Sequence, residues 1–341
     1  MKRSIVFIPV FALGMFLVNS FAQKASRTEE TISYATKAKS KNPGAANIIL
    51  RSSDGGKTWQ DISGTMPTAE QPVSFFVGGT NIYLHVNNAM YHSKSDLITP
   101  VWKKENVPEL TNAHLVPPTS IAFSSSGIMA YNYNGQMYQK APTTEAWHPV
   151  HTDFKKYSMR SIFETSDGTL LAGYDRYGLY RSVDKGKNWK KVHEDGLVTD
   201  ITESGGVILA TGNSGILQSV DNGEHWQVVI SEGGVGIAVE NINGGFAAIA
   251  YNTATGSRMV LISQDYGKTW QSIEKGLPPS SSISSIIQMG SYLVCGHPDG
   301  IFLSADMGKT WSRVHHGIKE GVFTIYAAGN ALYAVAGNAG C

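Results

Sequence analysis

The chain has 341 residues, and its 28 basic side chains nearly balance its 27 acidic ones. A chain without excess positive charge has no global field that attracts nucleic acid or an anionic membrane, so we do not expect these two classes of partner. Two cysteines do not make a disulfide scaffold, and 36 glycines and 15 tyrosines among many short β-rich runs favour an all-β domain held by its hydrophobic core.

Residues 1–22 have the three parts of a secretory signal peptide. Lys2 and Arg3 give a positive start, residues 5–18 are apolar, and residues 20–22 place small side chains where a signal peptidase reads. The apolar run is too short to span a bilayer comfortably, and charge returns two residues after the expected cleavage point. We therefore expect an exported protein, periplasmic or secreted, without a membrane span.

Residues 23–45 follow the expected cleavage point and differ in composition from the rest of the chain. They contain five Lys or Arg side chains between residues 24 and 41, with few large apolar residues. Such a composition cannot bury enough apolar surface to fold by itself. We expect a flexible, solvated N-terminal arm that precedes a domain at residues 46–341.

The domain contains five copies of the pattern Ser-x-Asp-x-Gly-x-x-Trp, which we call the Ser-Asp-Gly loops. They lie at residues 52–59, 182–189, 219–226, 263–270 and 304–311. The aspartate can accept hydrogen bonds from the backbone of its own turn, and the glycine accepts a positive φ. The tryptophan supplies a large apolar surface at the start of the next strand. Five copies indicate a repeat protein.

Two degenerate copies fill the long gap between the first and second loops. Residues 91–96 lead to Trp102, and residues 138–146 lead to Trp147. All seven tryptophans then form one series, spaced by 43, 45, 42, 37, 44 and 41 residues: Trp59, Trp102, Trp147, Trp189, Trp226, Trp270 and Trp311. Seven units of this length predict seven propeller blades.

The unit around Trp189 illustrates the strands expected in one blade. Residues 159–164 are predicted to form the innermost strand, residues 169–174 the second, residues 178–182 the third and residues 189–193 the outer one. The Ser-Asp-Gly loop therefore joins the third strand to the fourth. Four short strands in each unit are typical of a propeller blade.

The two ends of the domain predict how the ring closes. Residues 322–327 and 331–336 are predicted to form the first two strands of a last blade, and residues 47–52 and 59–62 supply its third and fourth strands. A blade built from both termini removes the open sheet edge that a ring would otherwise expose. The expected fold is an all-β, seven-bladed β-propeller.

These motifs resemble those of the Asp-box (BNR-repeat) β-propellers over about residues 46–341. That superfamily includes sialidases, sortilin-type receptor ectodomains, xyloglucanases and photosystem II assembly-factor propellers. The resemblance implies a fold more than a function, because the motif lies at the blade periphery. It implies a structural role for the motif residues Asp54, Asp184, Asp221, Asp265, Asp306, Trp59, Trp189, Trp226, Trp270 and Trp311.

A functional site is expected on the opposite face, where the connections between blades and the turns between second and third strands lie. There the inner strands align a column of mostly small residues: Ser74, Ser120, Ser161, Asp200, Gly236, Ser285 and Thr324. Asp200 is the only charge in this column, and Arg160 lies one place earlier in the preceding blade. Either the two form an ion pair between blades, or they contact a ligand.

The turns at this face add further ligand-binding candidates. Arg176 and Tyr177, with Tyr133 nearby, are candidates for a sugar-stacking or anion-binding patch on the rim. Arg258 and His297 occupy the corresponding turns of two other blades. We predict no metal site and no cofactor, because the spacing of the histidines matches no known zinc pattern.

Three functional classes fit these features. The first is a non-catalytic binding or assembly propeller that holds a protein or a glycan, and the second is a structural component of a cell-envelope complex. The third is a sialidase-like glycoside hydrolase, which requires three arginines for the substrate carboxylate together with catalytic Tyr, Glu and Asp residues. Only Arg160, Arg176 and Arg258 are available for such a triad, so we assign no catalytic residue. Convergence of these arginines with Asp200, Glu164 and Glu203 on one pocket would favour the enzyme.

Overall fold

A computed structural model describes residues 48–68, 74–86, 89–105, 121–124, 126–131, 137–144, 146–150, 159–194, 196–231 and 235–338. These residues form seven four-stranded antiparallel sheets and one short 3₁₀ helix, Ser63–Thr65. The expected arm at residues 23–45 and the expected signal peptide lie outside the described residues.

The strands run in chain order through the seven blades. The first two are β1 (Ile49–Ser52) and β2 (Gln60–Asp61). Blade 1 contains β3 (Ser74–Gly78), β4 (Asn81–Val86), β5 (Ala89–Lys94) and β6 (Lys103–Glu105). Blade 2 contains β7 (Ile121–Ser124), β8 (Gly127–Tyr131), β9 (Met137–Lys140) and β10 (His148–Val150). Blade 3 contains β11 (Met159–Glu164), β12 (Leu170–Tyr174), β13 (Gly178–Ser182) and β14 (Lys190–His193).

The second half of the ring repeats this plan. Blade 4 contains β15 (Ile201–Ser204), β16 (Val207–Gly212), β17 (Gly215–Ser219) and β18 (Gln227–Ile230). Blade 5 contains β19 (Gly236–Ile242), β20 (Gly245–Asn252), β21 (Ser257–Ser263) and β22 (Gln271–Ser272). Blade 6 contains β23 (Ser285–Met289), β24 (Tyr292–His297), β25 (Gly300–Ser304) and β26 (Ser312–His316). Blade 7 combines β27 (Gly321–Ala328) and β28 (Ala331–Asn338) with β1 and β2.

The inner strands of the seven blades form a closed ring. Each inner strand contacts that of the next blade, and β27 of blade 7 contacts β3 of blade 1. Within blade 7, β1 pairs with β28 in a register that places Ile49 opposite Val335. The chain is therefore a seven-bladed β-propeller, as its sequence predicts.

The core lies between neighbouring sheets. The second strands are buried on both faces, and all five residues of β12 are buried. Leu171 and Leu179 of blade 3 pack against Ile201 and Ile208 of blade 4 in one cluster, and similar clusters lie between other blades. Both residues of the outer strand β2 are exposed instead.

The serine and aspartate side chains of the five Ser-Asp-Gly loops make the same hydrogen bonds at the rim. In the loop that begins at Ser182, the serine hydroxyl accepts the Gly186 N–H at 2.8 Å, and Asp184 Oδ1 accepts the Asn188 N–H at 2.8 Å. The Trp189 indole N–H donates to the Gly186 carbonyl at 3.0 Å. Lys185 and Gly186 both have positive φ, 60° and 80°, so the loop requires two consecutive left-handed residues.

Asp184→Asn is expected to make the free energy of unfolding depend less on pH in the acid range. The Asn188 backbone and side chain and the Ser182 hydroxyl hydrogen-bond the ionised carboxylate and lower the pKa of Asp184 from 3.8 to about 2. A carboxyl whose pKa is lowered by folding stabilises the protein above its unfolded pKa, and this contribution is lost as the pH falls through the folded pKa. In urea unfolding between about pH 4 and pH 2, the variant should lose less stability than the wild type. Equal losses would contradict the assignment.

Candidate functional site

The connections between blades and the turns between second and third strands lie at one end of the sheets, which we call the loop face. Side chains join these elements directly, as two contacts illustrate. The Arg258 guanidinium, on β21, donates through Nη1 to the Ile283 carbonyl at 2.5 Å, and His297, on β24, contacts the Pro278 carbonyl at 2.9 Å. Both carbonyls belong to the connection between blades 5 and 6, so the loop face is packed together by side chains from adjacent hairpins.

The turn between β12 and β13 carries the most exposed of the predicted site residues. Arg176 and Tyr177 are exposed, with 41 % of the tyrosine accessible. Arg176 has a φ of 68°, which is unusual for a residue other than glycine. Below it, Arg160 Nη2 pairs with Asp175 Oδ2 at 3.1 Å and ties the turn to the inner strand of the same blade. Tyr133, the third predicted member of this patch, lies outside the described residues.

Asp200 lies at the inner edge of the ring, and its carboxylate hydrogen-bonds a backbone group of the next blade. Its Oδ2 accepts the Val239 N–H of blade 5 at 3.1 Å, whereas Arg160 pairs with Asp175 inside blade 3. Burial raises the pKa of Asp200 to about 6, although the Val239 and Ile201 N–H groups oppose that rise. The hydrogen bond thus links blades 4 and 5 through a carboxylate and a backbone N–H.

Two further titratable groups accompany Asp200 at the inner strands. Burial, followed by the Asp200 charge, raises the pKa of Glu240 well above its usual range. Burial and the nearby Glu240 raise the pKa of Tyr326, on the inner strand of blade 7, to about 12. Sequence alignment of the inner strands does not reveal Glu240, because a bulge between Gly236 and Ala238 shifts the register of β19.

His297 is a structural residue of its turn. It is 2 % exposed, and its ring lies edge-on to Phe302 with the ring centroids 5.3 Å apart. Nδ1 accepts the Asp299 N–H at 3.0 Å, which leaves Nε2 to donate to the Pro278 carbonyl. Burial lowers the pKa of His297, in keeping with a neutral ring whose two nitrogens are both occupied.

Glu164, Glu203 and the three arginines considered for a hydrolase are dispersed over several blades. Glu164 Oε1 accepts the Ser126 hydroxyl at 2.6 Å, across the junction of blades 2 and 3. Glu203 accepts the Ser166 hydroxyl at 2.6 Å, across the next junction. Arg160 pairs with Asp175, and Arg258 donates to the Ile283 carbonyl. Arg176 is exposed on the loop face. Each group therefore has its own local role, and the structure does not bring them together in one pocket.

The cysteines and the helical content complete the description of the chain. Cys295 is a fully buried free thiol, and burial raises its pKa to about 12, while Cys341 lies outside the described residues. In the part of the chain that the structure describes, no helix has the length and apolar character needed to cross a membrane.

Comparison with known proteins identifies the fold of the chain. No protein-family model and no curated protein matches it. Among solved structures, YCF48 bound to a D1 peptide is similar over 80 % of this chain and 95 % of its own, with a TM-score of 0.52 and 15 % identity. YCF48 from Cyanidioschyzon merolae is similar over 79 % of this chain and 97 % of its own, with a TM-score of 0.54 and 13 % identity.

Glycoside hydrolases of family GH74 share the same fold. The Niastella koreensis GH74 enzyme has a TM-score of 0.56 and 14 % identity over 80 % of this chain, and the match spans 51 % of the enzyme. The GH74 xyloglucanase from Xanthomonas campestris has a TM-score of 0.56 and 13 % identity over 85 % of this chain, spanning 56 % of that enzyme. This chain therefore covers about half of these enzymes, and at such identities the likeness establishes the β-propeller fold alone.

Proposed function

We propose that the protein is an exported, non-catalytic Asp-box propeller that binds a segment of a partner protein on its loop face. The observation that carries this proposal is the turn between β12 and β13, where Arg176 and Tyr177 are exposed above a fixed base. Arginine and tyrosine are enriched where proteins bind each other, because each combines a large contact surface with directional hydrogen bonding.

The turn is preorganised for binding. The ion pair between Arg160 and Asp175 holds its base, and β12 and β13 pair without interruption from Leu170 to Gly178. Holding Arg176 in the left-handed region costs about 1–2 kcal/mol, a strain that the rest of the fold must offset. Because the hairpin is ordered before binding, less conformational entropy is lost when a partner docks.

The chemistry of the turn favours a segment that carries a carboxylate. The Arg176 guanidinium offers a planar pair of donors that matches a carboxylate, and the neighbouring Tyr177 ring can cover an apolar side chain. A protein partner agrees with one structural neighbour, YCF48, whose solved structure has a D1 peptide bound. The separate contacts of Arg160, Arg258, Glu164 and Glu203 do not favour the sialidase-like alternative, which requires them to converge.

Selection of peptides from a displayed random library on the mature protein tests this proposal. Enriched peptides should share an acidic residue, and Arg176→Ala combined with Tyr177→Ala should weaken their binding by at least about tenfold, as expected when an interface centre is truncated. Tyr266→Ala is the matched control, because Tyr266 is 40 % exposed but lies on a Ser-Asp-Gly loop at the opposite end of the sheets.

Two results would contradict the proposal. One is binding that Tyr266→Ala weakens as much as the double variant does. The other is a library from which no peptide is enriched; turnover of a sialoside, a xyloglucan oligosaccharide or another glycan by the wild type would by itself contradict the non-catalytic part of the proposal. A glycan array probed with the same two variants separates a lectin from a protein-binding propeller.

A further inference from the structure

A groove of about 570 Å³ opens at the rim between blades 2 and 3. Its walls are the outer strands β9 and β10 of blade 2 and the Ser-Asp-Gly loop of blade 3, so it lies at the end of the sheets opposite the loop face. Gln139, His148, Lys185 and Lys187 line it, together with Ser126. None of the described residues that line this groove is acidic.

The corresponding space in the neighbouring junction, between blades 3 and 4, is filled by charged side chains. Between blades 3 and 4, Arg181 Nη1 pairs with Glu224 Oε2 at 3.1 Å, and Lys190 Nζ contacts the other oxygen of the same carboxylate. Arg181 Nε also donates to the Asn222 carbonyl at 2.8 Å. Two cations of one blade thus enclose a carboxylate that the loop of the next blade supplies.

The same three positions at the groove lack that carboxylate. Gln139 corresponds to Arg181, because each is one residue before the end of the third strand of its blade. His148 corresponds to Lys190, because each directly follows the tryptophan of its repeat. Lys187 replaces Glu224 as the third residue after the loop aspartate. An amide, an imidazole and an ammonium therefore hold the positions of Arg181, Lys190 and Glu224, and all three line the groove.

Lys185 strengthens this positive character. It corresponds to Asn222, whose amide binds Thr169 of the preceding blade at 2.9 Å and closes the gap between the two blades. Lys185 is exposed, and it borders the open groove beside Ser126. Among the described residues nearby, the Asp184 carboxylate accepts hydrogen bonds from its own loop, and Glu164 accepts one from the Ser126 hydroxyl.

We propose that this groove is a binding site for a small ligand that carries an oxyanion, namely a carboxylate, sulfate or phosphate group. The ligand's anionic group takes the place of the Glu224 carboxylate, between Lys187 and His148, with Lys185 at the open side. The volume is within the range of small-molecule sites, and lysine binds such groups as a point charge. This site is separate from the turn at Arg176.

Calorimetric titration of the mature protein with D-glucuronate, D-glucose 6-phosphate and D-glucose tests the proposal. At least one of the two anionic sugars should bind saturably and about tenfold or more tightly than glucose, and added salt should weaken that binding. The two anionic probes distinguish a carboxylate from a phosphate preference.

Three variants identify the groove as the place of binding. Lys185→Ala combined with Lys187→Ala should lower the affinity by at least about tenfold, as expected when two ammonium partners of one anion are removed. Lys309→Ala is the control, because Lys309 holds the same loop position in blade 6 and is exposed. Gln139→Arg combined with Lys187→Glu rebuilds the arrangement of blades 3 and 4, and it should abolish binding without unfolding the protein.

Absence of saturable binding for both anionic sugars would overturn the proposal. So would an affinity that the lysine pair leaves unchanged, or that Lys309→Ala lowers equally. Far-ultraviolet circular dichroism of each variant separates loss of the site from loss of the fold.

Discussion

Glu105→Gln is expected to lower the free energy of unfolding by about 3 kcal/mol or more, because it removes the counter-charge of a buried lysine. Lys140 Nζ lies 2.5 Å from Glu105 Oε1, and His92 Nδ1 lies 2.9 Å from the other carboxylate oxygen. Glu105 and Lys140 are each only 8 % exposed. The amide of the variant cannot compensate an ammonium that stays buried between blades 1 and 2.

Urea unfolding at pH 7 measures this effect, and two controls define it. Glu105→Leu combined with Lys140→Met should recover most of the loss, since a buried ion pair can often be replaced by apolar side chains of similar volume. Lys319→Ala, which removes one partner of an exposed pair 3.8 Å from Glu320, should change stability by less than about 0.5 kcal/mol. A loss for Glu105→Gln as small as that for Lys319→Ala would show that the pair is not desolvated.

Gly215→Ala is expected to destabilise the protein by at least about 4 kcal/mol, or to prevent folding, because it combines backbone strain with a steric clash. Gly215 begins the third strand of blade 4 with a φ of 119°, and a Cβ there would lie 1.7 Å from the Ile230 carbonyl oxygen. That oxygen belongs to the outer strand of the same blade, where the pairing with β17 shifts register between Ile216 and Leu217.

Gly206→Ala separates the two causes. Gly206 has a φ of 77°, and nothing lies within 4 Å of the Cβ that alanine would add. This variant should therefore cost only about 1–2 kcal/mol from backbone strain. Thermal and urea unfolding of both variants provide the comparison. Similar losses for the two would mean that the outer strand moves aside and that the clash at Gly215 is relieved.

The sequence predicts the blades well because each repeat encodes its own turns. The third strand of blade 3 runs from Gly178 to Ser182, as its glycine and its loop serine imply, and the second strand begins only one residue later than predicted. The degenerate repeats before Trp102 and Trp147 also form the expected strand pairs. These features depend on contacts between residues that are close in the chain.

The candidate site is less predictable because it depends on contacts between blades. Asp200 stands out in the sequence, yet its partner is a backbone N–H of the next blade, and a bulge in β19 hides Glu240 from a strand alignment. His297 resembles a ligand-binding residue until the structure places both of its nitrogens in backbone hydrogen bonds. The groove between blades 2 and 3 is recognised as a candidate anion site only when Gln139 and Lys187 are compared with the residues that fill the next junction.

Blade 7 has a consequence for the order of folding. The strand at Ile49 emerges first during synthesis, but its partner at Val335 is among the last described residues to follow. Pairing across nearly the whole chain carries a large loop-closure entropy, and topologies rich in such contacts fold slowly. Until that pairing forms, β1 and β28 both present unpaired edges, which are the elements most prone to aggregate. We therefore expect the pairing of β1 with β28 to be the last step in folding. The longer the ring stays open, the more the chain should depend on chaperones.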